Sequence, residues 1–351
     1  MRYAPLMNDS AERAVPAVPD GSDETRPQKR GALARSAFLA LKLAATAVAL
    51  VLVVRLVDPA AMMERARNTN RWLFALALAL MVLQIPLVGV RWRLIVRAMS
   101  DGRALVPGPA KFQEITWIAQ FFGQVLPFVA GDGLRVLLLR EAGTTLRVAF
   151  KSTLLDRALA ALALFAIALP AALFSRILAS AGAFLPPVVL FIAAGLLGAI
   201  ATLACADLIH RLGARWRALG VVTETIRDLR DILLSRPCAP RVMGLCFAVH
   251  AISTFVFWLL AQGQNLPFGL ADAVAIVPLV LLVSMIPIAV AGWGFREGFV
   301  VALLGASGIG ADDALLLSLS FGTVVLLAAL PGVVVLALST RVSGPPAAEP
   351  M

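Results

Sequence analysis

The chain has few of the residues that build metal or disulfide sites. Its 351 residues include 3 cysteines and 2 histidines. Cys205, Cys238 and Cys246 form no CxxC pair, and with the two histidines they give no metal-ligand spacing. The sequence therefore predicts no metal, haem or other cofactor. We expect all three cysteines to be small buried apolar side chains.

Charged side chains are also scarce, at 15% of the chain, whereas hydrophobic residues make up 60% and the mean hydropathy is +0.88. A soluble domain is about half apolar and about a quarter charged, so the sequence predicts a membrane protein with several spans. The net charge of +10 comes from arginines that cluster between apolar runs. This placement indicates anionic lipids of the inner leaflet as partners, and no nucleic acid.

Apolar segments alternate with polar connections along most of the chain. Residues 1–35 have no apolar period and are expected to form a disordered cytoplasmic tail, with a second tail at 341–351. Six segments have the roughly 20 apolar residues that a transmembrane helix needs. They are 36–57, 72–90, 151–174, 184–206, 242–262 and 314–338. Two more, 113–141 and 270–304, are interrupted by Pro and Gly, which predicts helical hairpins that enter the bilayer and return.

The order of these segments predicts an all-α transmembrane domain over 36–340. It would consist of two inverted repeats, 36–174 and 184–338, each with three spans and one re-entrant hairpin. In a bacterial-type inner membrane with the N-terminus in the cytoplasm, this topology puts the arginine-rich connection 207–241 inside, as the positive-inside rule requires. The connection 58–71 is an exception, because it is predicted to be external and carries three arginines.

Within the long connection, residues 207–236 have apolar side chains at steps of three and four. This period predicts one amphipathic cytoplasmic helix. Its apolar face would lie either on the inner membrane surface or against the helical bundle, and the pattern leaves both alternatives open.

One short motif occurs twice within the apolar sequence. Residues 126–135 read LPFVAGDGLR, which we call the first box, and residues 286–297 read IPIAVAGWGFRE, the second box. Each box has an apolar–Pro step followed by Gly-x-Gly-x-Arg, and 161 residues separate Arg135 from Arg296. Helix-breaking residues at matching places in two halves of a membrane protein indicate a transporter-type binding site.

The box arginines are the strongest candidates for function. An arginine inside a span costs on the order of several kcal/mol, so it is expected to be partnered and useful. A guanidinium binds phosphate through two parallel hydrogen bonds, and backbone N–H groups at a Gly-rich helix break also favour anions. We therefore predict a twofold anion site. The alternative is that both arginines only bond carbonyls at the breaks or extend to the membrane interface. The predicted substrate-binding residues are Gly131, Asp132, Gly133 and Arg135 in the first box and Gly292, Gly294, Arg296 and Glu297 in the second.

Secondary candidates lie nearby. Asp156 and Arg157 lie near the start of the 151–174 span. Because adjacent residues on a helix point in different directions, these two are not expected to pair with each other. For the same reason, Glu297 is expected to need a partner other than the arginine before it. Gln120 and Gln124 share one helical face that could line a cavity. The arginines that follow the 72–90 span are interpreted as cytoplasmic anchors.

Both boxes resemble signatures of the lysylphosphatidylglycerol synthase transmembrane family. Residues 130–135 (AGDGLR) resemble its Gly-Gly-Asp-x-x-Arg stretch, with Ala130 in place of the first Gly. Residues 292–298 (GWGFREG) are similar to its Gly-x-Gly-x-Arg-Glu-Gly signature, and 151–157 resemble the segment that opens its next helix. The resemblance covers about 36–340 and implies a flippase-like membrane domain. We expect the soluble aminoacyl-transfer domain of bifunctional members to be absent.

The resulting hypothesis is translocation of a phosphate-bearing or polar-headed lipid, either a phospholipid or a polyprenyl-type lipid, without enzymatic activity. Arg135 and Arg296 would hold the headgroup, while Asp132 and Glu297 would orient the arginines or relay a proton. One alternative is an enzyme or accessory subunit of membrane-lipid or polyprenyl-glycan synthesis, with these carboxylates and Asp156 as candidates. Another is a small-solute secondary transporter. A homo-oligomer is left open.

Overall fold

The computed structural model describes residues 64, 67–100, 106–125, 128–174, 182, 185–213, 220–285 and 294–342. Within these ranges the regular elements are helices, and no strand occurs there. The helices are α1 (Arg71–Met99), α2 (Pro109–Val125), α3 (Phe128–Glu141), α4 (Leu146–Phe174), α5 (Leu185–Ala204), α6 (Ala206–Gly213), α7 (Gly220–Leu234), α8 (Ala239–Gly263), α9 (Leu270–Ser284), α10 (Phe295–Gly305), α11 (Ala311–Ala329) and α12 (Pro331–Val342). The all-α prediction is confirmed.

Five of the described stretches are long and apolar enough to cross a membrane: α1, α4, α5, α8, and α11 together with most of α12. They coincide with five of the six predicted spans. The sixth predicted span, 36–57, lies outside the described residues. Length and composition alone identify these helices as spans, so the inverted arrangement of the two repeats stays a prediction.

Helix α1 shows how local sequence shapes the bundle. The Asn70 side-chain oxygen accepts from the backbone N–H groups of Trp72 (3.0 Å) and Leu73 (3.3 Å), which caps the first turn. Pro86 lies inside the helix, and its carbonyl accepts from the Gln113 amide of α2 at 3.0 Å. This bond ties α2 to α1 at the level of the proline.

Each predicted hairpin contains two short helices that pack against each other, α2 with α3 and α9 with α10. The breaks between them, 126–127 and 286–293, lie outside the described residues. In the first hairpin the helices touch at glycine: a Cβ on Gly131 would lie 2.8 Å from the Ala119 carbonyl oxygen and 2.8 Å from the Gly123 Cα. Small residues at such crossings allow the close backbone approach on which helix pairs in membranes depend.

The single helix predicted over 207–236 is instead described as two helices, α6 and α7, with 214–219 outside the described residues. Asp207 pairs with Arg230 at 2.7 Å and His210 with Thr223 at 3.4 Å, so the two helices run antiparallel. The hydrogen bond from the Arg230 guanidinium lowers the pKa of the Asp207 carboxyl. Of the apolar positions that repeat along α7, Leu229 and Leu233 pack against a buried apolar cluster of the bundle, whereas Val222 is exposed.

Helix α7 packs on α4 through both charge and apolar contact. Glu224 bonds the side chains of Arg147 and Lys151, and Ile232 is 4% exposed. It lies in a buried apolar cluster with residues of α1, α4 and α8, among them Leu155. The described helix α7 therefore packs on the bundle, and its position relative to the inner membrane surface stays a prediction.

The apolar core lies around α8, α9 and α11. Phe257 contacts Phe268 and Phe321 with ring centroids 6.0 and 5.5 Å apart, and all three side chains are buried. Cys246 is buried as expected and Cys238 is half-buried, but Cys205 is exposed. The expectation for Cys205 is wrong because this residue forms the turn between α5 and α6 rather than part of a packed helix face.

Candidate functional site

A cavity of about 240 Å³ lies between eight of the helices, α1 to α4 and α8 to α11. Arg135 and Arg296, the arginines of the two boxes, both line it. Gln120 and Gln124 line it from the face of α2 that their spacing predicts. The charged residues of its wall are Arg91, Asp132, Arg135, Asp156, Arg157 and Arg296. The cavity therefore brings together most of the residues that the sequence singles out, from both halves of the chain.

Arg135 is buried, at 5% exposure, and its guanidinium is held on one side only. Its Nη1 donates to Asp156 Oδ2 at 3.0 Å, and its Cζ lies 4.2 Å from the centre of the Trp92 ring. The Nε and Nη2 atoms form no hydrogen bond with the described residues. Because Nε–H and Nη2–H point in parallel, this edge is the one that binds phosphate or carboxylate through two bonds.

Asp156 is fixed by a second arginine that the sequence interpretation placed at the membrane surface. Arg91 is 4% exposed and donates from Nε to Asp156 Oδ1 at 2.7 Å. Its interpretation as a cytoplasmic anchor is therefore corrected: it lies in the cavity wall because α1 continues beyond residue 90 to Met99. The spacing of Gln84 and Arg91, seven residues or two helical turns, could have indicated a shared polar face.

Asp132 forms a separate ion pair next to Arg135. Both of its oxygens accept from Arg157, at 3.0 Å from Nε and 2.8 Å from Nη2, whereas Arg135 Nη1 lies 3.9 Å away. The adjacent residues Asp156 and Arg157 thus bind different partners, as their positions on α4 predict. The Asp132–Arg157 pair is only partly buried, because the Arg157 side chain is 37% exposed.

The second box has a different geometry. Arg296 bonds through both Nε and Nη2 to Oε1 of Glu297, with Nε at 3.0 Å. Glu297 is fully buried, and its Oε2 accepts from the Gly294 N–H at 2.6 Å, which caps the start of α10. The expectation that adjacent Arg296 and Glu297 cannot meet is wrong, because both lie in the first turn of α10, where the carboxylate folds back over the helix end.

The box glycines have distinct roles. Gly131 lines the cavity and lies at the contact between α2 and α3, while Gly133 is exposed, away from the cavity, with nothing within 4 Å of an added Cβ. Gly294 has φ +84°, a conformation that favours glycine. Gly292 lies outside the described residues. Backbone anion binding at Gly133 has no support in this placement.

The arrangement can bind an anion but offers little for acid–base or metal chemistry. Each carboxylate in the wall, Asp132 and Asp156, accepts from at least one guanidinium. Within the described ranges, no three His, Cys, Asp or Glu side chains are grouped so that they could hold a metal ion. The feature that stands out chemically is the unpaired edge of buried Arg135.

Comparison with known protein families supports the resemblance seen in the two boxes. The model of the lysylphosphatidylglycerol synthase TM region matches residues 39–332, which contain both boxes and every described helix of the cavity wall. No curated protein matches the chain. The family description names a membrane lipid, and together with the five span-length helices it makes this a multi-pass membrane protein with a lipid-related function. The chain belongs to the lysylphosphatidylglycerol synthase transmembrane-region family.

Proposed function

We propose that this protein moves a phosphate-bearing lipid between the leaflets of the inner membrane, with the headgroup bound in the central cavity. The observation that carries the proposal is the buried Nε and Nη2 edge of Arg135, which has no hydrogen-bond partner among the described residues. A buried donor pair of this kind is costly unless something accepts from it. A phosphate oxygen pair fits its geometry.

The composition of the cavity wall favours an amphiphile over a small solute. Beside the charged groups, the wall contains apolar side chains from six helices, among them Ile85, Leu164, Val249 and Leu281. A lipid presents a polar head and an apolar body to one binding site, and this wall offers both kinds of surface. A small polar solute would leave the apolar part of the wall without a complementary surface.

The mechanism would use the two hairpins as the parts that change position around the bound head. The cavity lies against both of them, α2 with α3 and α9 with α10. In transporters with repeated halves, alternating access comes from movement of one repeat against the other around a fixed central site. Arg135 would hold the phosphate, and Glu297 would hold Arg296 in place.

Purified protein in vesicles with a fluorescent phospholipid tests the proposal. Dithionite reduction of the label in the outer leaflet measures how much lipid crosses. Arg135→Gln should abolish protein-dependent crossing while the protein remains monodisperse. The matched control is Arg241→Gln, which removes an exposed arginine outside the cavity wall, and should keep the wild-type rate. Wild-type crossing by Arg135→Gln would refute the headgroup role.

We further propose that the 207–241 connection faces the cytoplasm. A single cysteine at position 236, with the three native cysteines replaced, tests this orientation. Position 236 is chosen because Arg236 is exposed. A position such as Thr225 in the same connection is unsuitable, because it is 5% exposed and poorly accessible to a reagent. A membrane-impermeant maleimide should label position 236 in inside-out vesicles and not in intact cells. Labelling from outside intact cells would overturn the inverted-repeat topology.

A further inference from the structure

The cavity holds neutral polar groups as well as arginines. Ser253 Oγ donates to Gln84 Oε1 at 3.0 Å, and Ser284 Oγ donates to the Val280 carbonyl at 2.7 Å. Each hydroxyl thereby uses its proton inside the protein and keeps its oxygen as an acceptor. The Gln84 amide nitrogen forms no hydrogen bond to another described residue and remains a donor. Neutral donors and acceptors in one wall are the complement of a hydroxyl group.

Ammonium groups find no equivalent partner. Asp132 gives both oxygens to Arg157, Asp156 gives one oxygen each to Arg91 and Arg135, and Glu297 is bonded by Arg296. In the part of the chain that the structure describes, every carboxylate at the cavity is therefore already paired with a guanidinium. A desolvated ammonium ion without a carboxylate is strongly disfavoured.

The net charge of the site sharpens this difference. Four guanidinium groups, those of Arg91, Arg135, Arg157 and Arg296, face three carboxylates when Glu297 is counted with its arginine. Among the described residues of the wall, these guanidinium and carboxylate groups leave one positive charge over. A phosphodiester carries one negative charge and balances the site. A zwitterionic head leaves it unbalanced, and an aminoacylated head with a net positive charge adds to the excess.

We propose, on the basis of the lipid role above, that the site selects lipids with a phosphodiester and a neutral, hydroxyl-bearing headgroup and discriminates against headgroups that carry an ammonium group. Arg135 binds the phosphate through its open edge. The Gln84–Ser253 pair from α1 and α8 accommodates the hydroxyl groups. Specificity therefore has two sources. Headgroups with hydroxyl groups form hydrogen bonds with the wall, and headgroups with an ammonium group find no unpaired carboxylate there.

Competitive binding tests this selectivity without requiring transport. Full-length protein in nanodiscs receives equal amounts of phosphatidylglycerol, phosphatidylethanolamine and lysyl-phosphatidylglycerol with identical acyl chains, and native mass spectrometry quantifies the bound lipid. One unit of charge at low effective dielectric should favour phosphatidylglycerol over phosphatidylethanolamine by about tenfold or more. Equal retention of the lipids, or preference for an ammonium-bearing head, would overturn the inference.

A charge change at one residue should weaken the preference. Arg157→Gln removes the hydrogen bonds to Asp132 and leaves this carboxylate of the wall with only Arg135 Nη1, 3.9 Å away. The preference for phosphatidylglycerol over the ammonium-bearing lipids should fall about tenfold. Arg241→Gln, an exposed arginine away from the cavity, is the matched control and should leave the preference unchanged. An unaltered preference in Arg157→Gln would contradict the role of carboxylate pairing.

The lipid-crossing assay separates this inference from the proposed function. Selective binding of phosphatidylglycerol without any protein-dependent crossing refutes translocation and supports the headgroup selectivity. Crossing of all three lipids at equal rates, together with equal binding, supports translocation and refutes the selectivity.

Discussion

The first and second boxes repeat one motif, and their arginines reach the same cavity, yet the two guanidiniums are held in opposite ways. Arg135 is held at Nη1 by Asp156, a residue of another helix, and its Nε and Nη2 edge stays open. Arg296 has the same edge bonded to the residue that follows it, Glu297. The position of the carboxylate, and not the arginine itself, decides which edge can bind a ligand. We infer that the first box binds the phosphate while the second mainly supports it.

Removal of Asp156 should have the largest effect, because this one carboxylate compensates two buried arginines, Arg91 of α1 and Arg135 of the first box. Asp156→Asn removes the charge partner of both and leaves Arg135 with only Asp132, 3.9 Å from its Nη1. Loss of one member of a buried ion pair costs about 3–5 kcal/mol, so the thermal midpoint of the detergent-purified protein should fall sharply. Thermal unfolding followed by intrinsic tryptophan fluorescence measures it.

Glu297→Gln is the matching change in the second box and serves as the control for Asp156→Asn. Glu297→Gln keeps an amide oxygen that can accept from the Gly294 N–H, and one arginine instead of two loses a charge partner. The fall in thermal midpoint should therefore be smaller than for Asp156→Asn. Equal destabilisation by both variants would show that the two boxes are energetically equivalent.

The next largest difference should lie within the first box, between its two glycines. Gly131→Ala places a Cβ 2.8 Å from the backbone of α2, so the helices of the first hairpin must move apart, at about 1–3 kcal/mol. Gly133→Ala is the internal control, because its Cβ meets nothing and alanine favours a helix by roughly 0.5–1 kcal/mol. Thermal midpoints of the two variants should shift in opposite directions. A fall of the same size in both would contradict the close contact.

Much of the fold follows from the sequence, because membrane spans depend on length and apolar content that any segment shows by itself. The described spans coincide with the predicted ones, and the hairpin helices begin and end near the Pro and Gly breaks. The helix predicted over 207–236 differs, because a regular apolar period does not reveal where a chain turns back. The antiparallel pairing of Asp207 with Arg230 depends on contacts between residues far apart in sequence.

The residues of the site are predictable from the sequence only in part, because their partners also depend on contacts between residues far apart in the chain. The boxes identify Arg135 and Arg296 because arginine in an apolar segment is costly wherever it points. Their partners are a matter of three-dimensional packing. Arg91 lies 65 residues from Asp156 in the chain, and its position at the end of a span is equally typical of a surface anchor. The fold-back of Glu297 onto its neighbour requires the geometry of a helix N-terminus, which a spacing rule for helix interiors does not include.

Lysine substitution tests whether the open edge is what distinguishes the first box. Arg135→Lys keeps the positive charge beside Asp156 but removes the two parallel donors, so affinity for an anionic phospholipid should fall about tenfold or more. Arg296→Lys should change that affinity by less than about threefold, because the lost edge was already bonded to Glu297. Lipid titration monitored by tryptophan fluorescence compares them. Equal losses in both variants would favour a twofold phosphate site built from both boxes.

The smallest expected effect concerns the aromatic ring under Arg135. Its Cζ lies 4.2 Å from the Trp92 ring, while Arg296 lies 6.0 Å from Phe321, so the cation–π contact is closer in the first box. Trp92→Phe keeps a ring with a weaker attraction for cations, and phospholipid affinity should fall about two- to fivefold, equivalent to roughly 0.5–1 kcal/mol. Trp92 also donates to Ser152 at 3.2 Å, so Ser152→Ala serves as the control that removes this hydrogen bond and keeps the indole. If Ser152→Ala lowers affinity as much as Trp92→Phe, the hydrogen bond positions Arg135 and the ring contact does not. If only Trp92→Phe lowers it, the indole face holds the guanidinium in the plane that leaves its Nε and Nη2 edge open to the lipid.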